Sequence, residues 1–208
     1  YLYDNDLDHK RRPAAWCLQL YQQYGKAFPT HLNGTFAVAI YDYTNGQLHL
    51  VTDRTASRGL YYLTQSPWVF GSEVKFILEY PGVSRTLNHD RLREFLVLEF
   101  LPGTATYYDH IRQVPPASVL TIADEGERTE SYWSPRFEWQ EQSSLGEHSH
   151  GIAAALRNSV RRVCAGHERI GLMLSAGLDS RAIASASEAP LQCMTLHVRP
   201  GAEVALAR

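Results

Sequence analysis

The chain has 208 residues, of which 44% are hydrophobic and 20% charged, and its formal net charge is −2 at pH 7. These values are typical of a globular protein of one or two domains, and they argue against a general surface for nucleic acid or anionic membranes. No uncharged apolar run approaches the roughly 18 residues of a membrane span, and the widely spaced Cys17, Cys164 and Cys193 predict reduced thiols and a cytoplasmic location.

The first 135 residues are predicted to form a mainly antiparallel sheet with helices attached to it. Apolar residues recur at helical spacing over residues 13–24, and Gly25 is suited to end that helix. Residues 35–42 are almost all apolar, which predicts a strand buried on both faces. Asn45-Gly46 is typical of a tight hairpin turn and predicts an antiparallel return over residues 47–52.

Similar signals continue to the end of this region. We predict hairpins within residues 59–71 and 119–133, and helices over residues 73–80 and 89–100. Polar residues then dominate, which predicts a linker at residues 136–149.

The pattern changes after the linker. A helix over residues 150–164 is followed by a strand at 169–174, a helix at 179–187 and a second strand at 191–198. This alternation is typical of a parallel sheet, and ligands bind such sheets outside the carboxyl ends of the strands. The turn between the first strand and its helix is therefore a candidate ligand site.

That turn reads Ser175-Ala176-Gly177-Leu178-Asp179-Ser180. Backbone N–H groups at a helix N-terminus attract phosphate, the two serines can donate hydroxyl hydrogen bonds, and Asp179 can hold magnesium. The turn lacks the lysine of a Walker loop, and Met173 stands where a hydrolase nucleophile elbow needs glycine. The alternative is an ordinary strand-to-helix turn capped by Asp179 or Ser180.

Several separated segments together resemble the asparagine synthetases. They are similar to that family's motifs L-x-G-x-F-A-x-A-x-x-D, D-R-x-G-x-x-P-L-Y-Y, A-S-E-x-K, I-x-x-L-P-P and Y-W, and they lie at residues 32–42, 53–62, 71–75, 111–116 and 132–133. The turn itself resembles the Ser-Gly-Gly-x-Asp-Ser pyrophosphate loop of the ATP pyrophosphatases, with Ala176 in place of the first glycine.

The resemblance implies a two-domain enzyme, α+β in its first part and α/β in its second. Residues 1–135 would be a partial α/β/β/α sandwich of the N-terminal-nucleophile (Ntn) glutamine amidotransferase type. Residues 150–208 would be the start of a parallel-sheet ATP-pyrophosphatase domain, like the adenine nucleotide α-hydrolases. In this family ATP adenylates a carboxylate with release of pyrophosphate, and ammonia or an amine then displaces AMP.

The resemblance also implies ligands and site residues. The cofactors would be ATP and magnesium. The partners would be a small-molecule carboxylate and an amine or ammonia donor, and no nucleic acid or membrane is expected. The chain could also form a homodimer. Met173 and His197 match positions that border the adenine, while the alternatives are core packing for Met173 and a strand-end histidine for His197. The residues that match the ATP and pyrophosphate loop are Ser175, Ala176, Gly177, Leu178, Asp179 (also the magnesium ligand) and Ser180.

The chain departs from the family in its glutaminase half. The family's nucleophile is a cysteine at the mature N-terminus, whereas this chain begins with Tyr1, and Cys17 falls inside a predicted helix as inert packing. Pro13 stands where the family has an aspartate that binds glutamine, and Ala56 and Gly59 replace a glycine and a proline. We therefore expect the glutaminase site to be lost, and we assign no catalytic residue.

Two alternatives remain open. β-Lactam synthetases and lasso-peptide cyclases lack a glutaminase and use the same synthetase domain to close an internal amide. The other alternative is a catalytically inactive nucleotide-binding or scaffold fragment. It follows from an expected truncation at both ends, because Tyr1 is not a methionine and residues 200–208 stop within a sequence typical of a helix start.

Overall fold

The computed structural model describes residues 2–3, 12–138 and 144–196. Within them the chain forms two compact units, and the division falls between Arg136 and Phe137. The first unit holds two antiparallel sheets, and the second holds a two-stranded parallel sheet. Across the described ranges, no helix combines the length and the apolar character that crossing a membrane requires.

The first unit begins with helix α1, Pro13–Tyr24, as the sequence predicts. Proline suits the first helical position because an N–H there has no partner within the helix. Gly25 follows the helix at a φ of 56°, which glycine adopts without strain, and its N–H donates to the carbonyl of Tyr21. A 3-10 helix that the sequence pattern does not predict, Gly25–His31, comes next.

Four antiparallel strands form the larger sheet, in the order β1-β2-β6-β7. The turn Asn45-Gly46 connects β1 to β2, and the turn before Gly126 connects β6 to β7, so both predicted hairpins are confirmed. The strand bounds are Ala37–Asp42 for β1, Gln47–Thr52 for β2, Ser118–Ala123 for β6 and Gly126–Ser131 for β7.

Strand β1 is not buried on both faces, so that prediction is wrong. Phe36 and Ile40 are buried, whereas the alternating Ala37, Ala39 and Tyr41 are exposed. One face of β1 packs on the apolar core, while the other face is open to solvent. Two of the three outward residues are alanines, and small apolar side chains on an open face give the same near-continuous apolar run as a doubly buried strand.

A smaller sheet has the strand order β4-β3-β5. The β3–β4 pair confirms the predicted hairpin, while β5 is not predicted because three residues are too few to show an alternating pattern. Both helices between β4 and β5 agree with the prediction but are shorter. The bounds are Tyr61–Leu63 for β3, Phe70–Gly71 for β4, Val74–Leu78 for α2, His89–Leu98 for α3 and Ile111–Gln113 for β5.

Three apolar clusters pack the first unit. One joins α1 and the 3-10 helix to the larger sheet around Phe28. A second joins the two sheets through Leu50 and Leu120, and a third packs Ile77 of α2 against Ile111 of β5. All five side chains are fully buried, and burying an apolar side chain of this size contributes about 1.5–3 kcal/mol.

The second unit alternates helix and strand. Strands β8 and β9 pair in parallel, from Ile170↔Leu191 to Met173↔Met194, which confirms the predicted parallel arrangement. Among the residues described in this unit, only Ala186 is buried. The bounds are Leu145–Cys164 for α4, Ile170–Met173 for β8, Leu178–Ala186 for α5 and Leu191–Met194 for β9.

Helix α4 begins five residues before the predicted start, inside the stretch that we assign to the linker. Ser144 forms a capping box with Glu147: each side chain accepts the backbone N–H of the other residue. The prediction follows the apolar periodicity, which starts only after this polar first turn. The Ser-x-x-Glu spacing is the sequence signal that marks the true start.

Candidate functional site

The candidate loop leaves strand β8 and enters helix α5. The Leu174 N–H donates to the Met194 carbonyl at 2.9 Å, and the Thr195 hydroxyl donates to the Leu174 carbonyl at 2.9 Å, so the start of the loop is tied to the end of β9. Helix α5 begins at Leu178, and its N-cap residue Gly177 contributes no side-chain cap. The sequence therefore folds as predicted here, with an open helix N-terminus at the carboxyl end of a parallel strand.

Two serine hydroxyls close the loop on itself. The Oγ atoms of Ser175 and Ser180 lie 3.0 Å apart, and Ser180 Oγ accepts the Ser175 N–H at 3.1 Å. Ser175 Oγ accepts the Gly177 N–H at 3.1 Å. The structure thus brings both predicted hydroxyl donors and two backbone N–H groups into one turn, where an anion would replace bonds that the loop makes to itself.

The two small residues of the loop have different constraints. Ala176 is not among the described residues with positive φ, so alanine is unstrained at the position where the pyrophosphate loop has its first glycine. A Cβ at Gly177 would lie 3.1 Å from Ser175 Oγ, which is tighter than ordinary contact. A larger residue at position 177 would therefore require the Ser175 hydroxyl to move by a few tenths of an ångström.

Asp179 lies in the first turn of α5 with its side chain exposed. No group of three or more His, Cys, Asp or Glu residues that could hold a metal is present in the described part of the chain. A lone carboxylate suits magnesium bound together with a nucleotide, since that ion takes one or two carboxylates and completes its shell with phosphate oxygens and water.

The remaining candidates are Met173, Leu178 and His197. Met173 is 55% exposed and Leu178 is 77% exposed. His197 lies outside the described residues. The role of Met173 beside an adenine stays a prediction.

The first unit contains an open cleft of about 1020 Å3. Helix α1 forms one side with Pro13 and Cys17, residues 35–41 form another, and loop residues that include Ser57 complete it. Cys17 is only 4% exposed, and burial raises the pKa of its thiol. Cys17 belongs to the apolar cluster around Phe28, which agrees with the predicted packing role.

A buried carboxylate that motif reasoning does not explain lies beside this cleft. Asp53 is 2% exposed, and one of its oxygens accepts the N–H groups of Thr55 and Ser57 at 2.9 and 3.1 Å. The other accepts the Phe36 N–H at 3.0 Å and the Ser57 hydroxyl. Burial opposes ionisation, but these hydrogen bonds outweigh it and lower the pKa of Asp53. The Asp-x-Thr-x-Ser spacing is an Asx-turn signal that could have identified this structural role.

A family model described as a glutamine amidotransferase domain matches residues 14–133. Among curated proteins, asparagine synthetase [glutamine-hydrolyzing] 3 of Bacillus subtilis (strain 168) is 29% identical over 169 residues, covering 80% of this chain and 27% of that protein. Asparagine synthetase [glutamine-hydrolyzing] 2 of the same strain is 28% identical, with 80% and 24% covered. Amidase chry2 of Gibberella zeae is 27% identical, with 80% and 25% covered. The chain spans about a quarter of the length of these relatives.

The solved structures that resemble this chain include a glutamine phosphoribosylpyrophosphate amidotransferase from B. subtilis in complex with ADP and GMP. Its TM-score is 0.36 at 18% identity, and the match covers 85% of this chain and 38% of that one.

Proposed function

This chain belongs to the glutamine amidotransferase domain family, within the asparagine synthetase superfamily of the glutamine-hydrolysing type, and from that premise we propose that it serves an ATP-dependent reaction that forms an amide. In the proposed reaction ATP adenylates a carboxylate and releases pyrophosphate, and ammonia or an amine then displaces AMP. The second unit would carry the nucleotide, and the first unit would serve as a scaffold.

The observation that carries this proposal is the geometry of the loop at Ser175–Ser180. Two hydroxyls 3.0 Å apart, the N–H groups of Ser175 and Gly177, and the uncapped start of α5 all lie within one turn. Oriented N–H dipoles and hydroxyls stabilise charge that gathers on a leaving pyrophosphate, without reorganising as the reaction proceeds. The serines would donate to phosphate oxygens after giving up their bonds to the loop itself.

Asp179 would hold magnesium together with the phosphates. Its exposed carboxylate lies in the first turn of α5, one residue after the start of the helix. When bound, magnesium neutralises phosphate charge and so favours departure of the pyrophosphate. Asp179 would position the ion beside the loop.

One observation supports a first unit that does not hydrolyse glutamine: Pro13, at the position of the glutamine-binding aspartate, has no side-chain group that could bind an α-amino group. The amine would then be free ammonia or a separate amine. The same observation favours, as a second candidate, a reaction in which the amine belongs to the acceptor itself and an internal amide is closed.

Titration calorimetry with Mg-ATP and with AMP tests the proposal on the whole chain. We expect magnesium-dependent ATP binding that is tighter than AMP binding, because the loop would contact the phosphates that AMP lacks. Asp179→Ala should abolish the magnesium dependence. Asp90→Ala is the matched control, since Asp90 also lies in the first turn of an exposed helix, α3, and this variant should bind ATP like the unmodified chain.

Two results would overturn the proposal: equal affinity for ATP and AMP, or Mg-ATP affinity that is the same in Asp179→Ala and Asp90→Ala. No binding of ATP at all would leave the alternative of an inactive scaffold. Circular dichroism of each variant verifies that the fold is retained.

A further inference from the structure

The peptide unit between Leu174 and Ser175 is hydrogen-bonded at both of its ends. Its carbonyl accepts the hydroxyl of Thr195, a half-buried residue that directly follows strand β9, at 2.9 Å. Its N–H donates to the Oγ atom of Ser180, in the first turn of α5, at 3.1 Å. A side chain outside the loop therefore holds the peptide from which the loop starts.

The two hydrogen bonds lie on opposite sides of this peptide. The peptide is trans and planar, so the Leu174 carbonyl and the Ser175 N–H point in opposite directions and turn together. The bond from Thr195 therefore fixes the direction in which the Ser175 N–H points. The preceding peptide is attached to the same strand end, because the Leu174 N–H donates to the Met194 carbonyl at 2.9 Å.

The other hydrogen bonds of the turn join loop residues to one another. The Gly177 N–H donates to Ser175 Oγ at 3.1 Å, and Ser180 Oγ lies 3.0 Å from Ser175 Oγ. An anion that entered the turn would replace bonds of this kind. The bond between Thr195 and Leu174 lies on the far side of the peptide from Ser180, so the anion would leave that bond intact.

We propose that Thr195 is a positioning residue for the loop, which holds the Leu174–Ser175 peptide so that the Ser175 N–H points at a bound phosphate. This inference rests on the proposed nucleotide function of the loop. A donor that is oriented before the ligand arrives does not have to reorganise as charge develops on the phosphate, and it loses less conformational freedom on binding. Without the Thr195 hydroxyl, the peptide would rotate more freely and the N–H would point at the phosphate for less of the time.

Two substitutions of Thr195 test this role in the whole chain. Thr195→Val removes the hydroxyl but keeps the branched shape, whereas Thr195→Ser keeps the hydroxyl. The bond between Leu174 and Met194 involves backbone atoms alone, so both variants should retain the β8–β9 pair. In titration calorimetry, the affinity for Mg-ATP should fall about three- to tenfold in Thr195→Val, which is the effect of one net hydrogen bond. Thr195→Ser should bind Mg-ATP like the unmodified chain, and AMP affinity should be the same in all three proteins.

Ser187→Ala is the matched control. Ser187 is also half-buried in the second unit, and its hydroxyl also donates to a backbone carbonyl, that of Ala189, at 2.9 Å. It lies at the opposite end of α5 from the loop, so Ser187→Ala should bind Mg-ATP like the unmodified chain. Equal losses of affinity in Thr195→Val and Ser187→Ala would overturn the proposal, and so would an unchanged affinity in Thr195→Val.

Amide hydrogen exchange of Ser175 in the nucleotide-free chain tests the attachment separately from nucleotide binding. The Ser175 N–H should exchange faster in Thr195→Val than in Thr195→Ser or Ser187→Ala, because the peptide that carries it is less constrained. Equal exchange in Thr195→Val and the unmodified chain would overturn the proposal. If exchange responds as expected but the unmodified chain binds Mg-ATP no more tightly than AMP, the proposed nucleotide function fails, and with it the role of Thr195 toward phosphate, while the attachment of the loop stands.

Discussion

The two units of this chain differ most in how deeply their side chains are buried. Within the described residues, every buried apolar side chain except Ala186 belongs to the first unit, which also buries Asp53 and His49 with their hydrogen-bond partners. The second unit presents its loop at Ser175–Ser180 on an open turn. Stability is thus concentrated in one unit and the candidate nucleotide chemistry in the other, and substitutions should separate the two properties.

The largest contrast should come from leucines of opposite exposure. Leu50 is fully buried in β2, and Leu50→Ala should lower the free energy of unfolding by about 2–5 kcal/mol, because it leaves a cavity between the two sheets. Leu178 is 77% exposed, and Leu178→Ala should change the free energy of unfolding by less than about 0.5 kcal/mol. Urea denaturation of both variants measures the difference. Similar losses of unfolding free energy in the two variants would contradict the claim that stability is concentrated in the first unit.

A smaller contrast is expected between two aspartates. Asp53→Asn should lower the free energy of unfolding by about 3 kcal/mol, because an amide cannot accept all the N–H and hydroxyl groups that point at the buried carboxylate. Asp179→Asn replaces an exposed carboxylate, so its free energy of unfolding should lie within about 0.5 kcal/mol of that of the unmodified chain. Urea midpoints at pH 7 measure both.

The pH dependence of stability in acid tests the role of the Asp53 carboxylate further. The pKa of Asp53 is lower in the folded chain than its unfolded value of about 3.9. Its stabilising effect is therefore complete well above pH 4 and is lost as the pH falls through the folded pKa. Unfolding of the unmodified chain between pH 5 and pH 2 should show this loss. A profile for Asp53→Asn that is parallel to that of the unmodified chain would contradict the assignment.

The smallest contrast concerns two alanines that stand where the family motifs have glycine. Ala56 has a φ of 48°, and relieving that strain with Ala56→Gly should stabilise the chain by about 1 kcal/mol. Ala176 does not have positive φ, so Ala176→Gly should be neutral or cost up to about 1 kcal/mol through backbone entropy. The midpoint of thermal unfolding should rise in Ala56→Gly, and it should fall or stay unchanged in Ala176→Gly. Stabilisation by Ala176→Gly would contradict the loop geometry.

The sequence predicts this fold best where the signal is local. The turn at Asn45-Gly46, the helix at Pro13–Tyr24 and the parallel pair β8–β9 follow from residues close together in the chain, and all three are confirmed. Loop residues Ser175 and Ser180 lie close together because a strand, a tight turn and a helix start fix their separation.

The features that sequence reasoning does not predict depend on contacts between distant segments. The exposed face of β1 depends on which distant segments pack against the sheet, which apolar composition cannot reveal. The hydrogen bond between His49 and Thr121 joins residues 72 positions apart, so no spacing rule points to it. The start of α4 is an exception, since the Ser144–Glu147 capping box is readable in the sequence but lies outside the apolar periodicity.

Mapping Mg-ATP on the chain by two-dimensional amide NMR tests most directly the claim that the second unit carries the nucleotide chemistry. The account predicts that Mg-ATP shifts the amides of Ser175–Ser180, and that glutamine shifts no amide along residues 35–41 of the cleft. Nucleotide shifts confined to the cleft, or glutamine binding there, would contradict it.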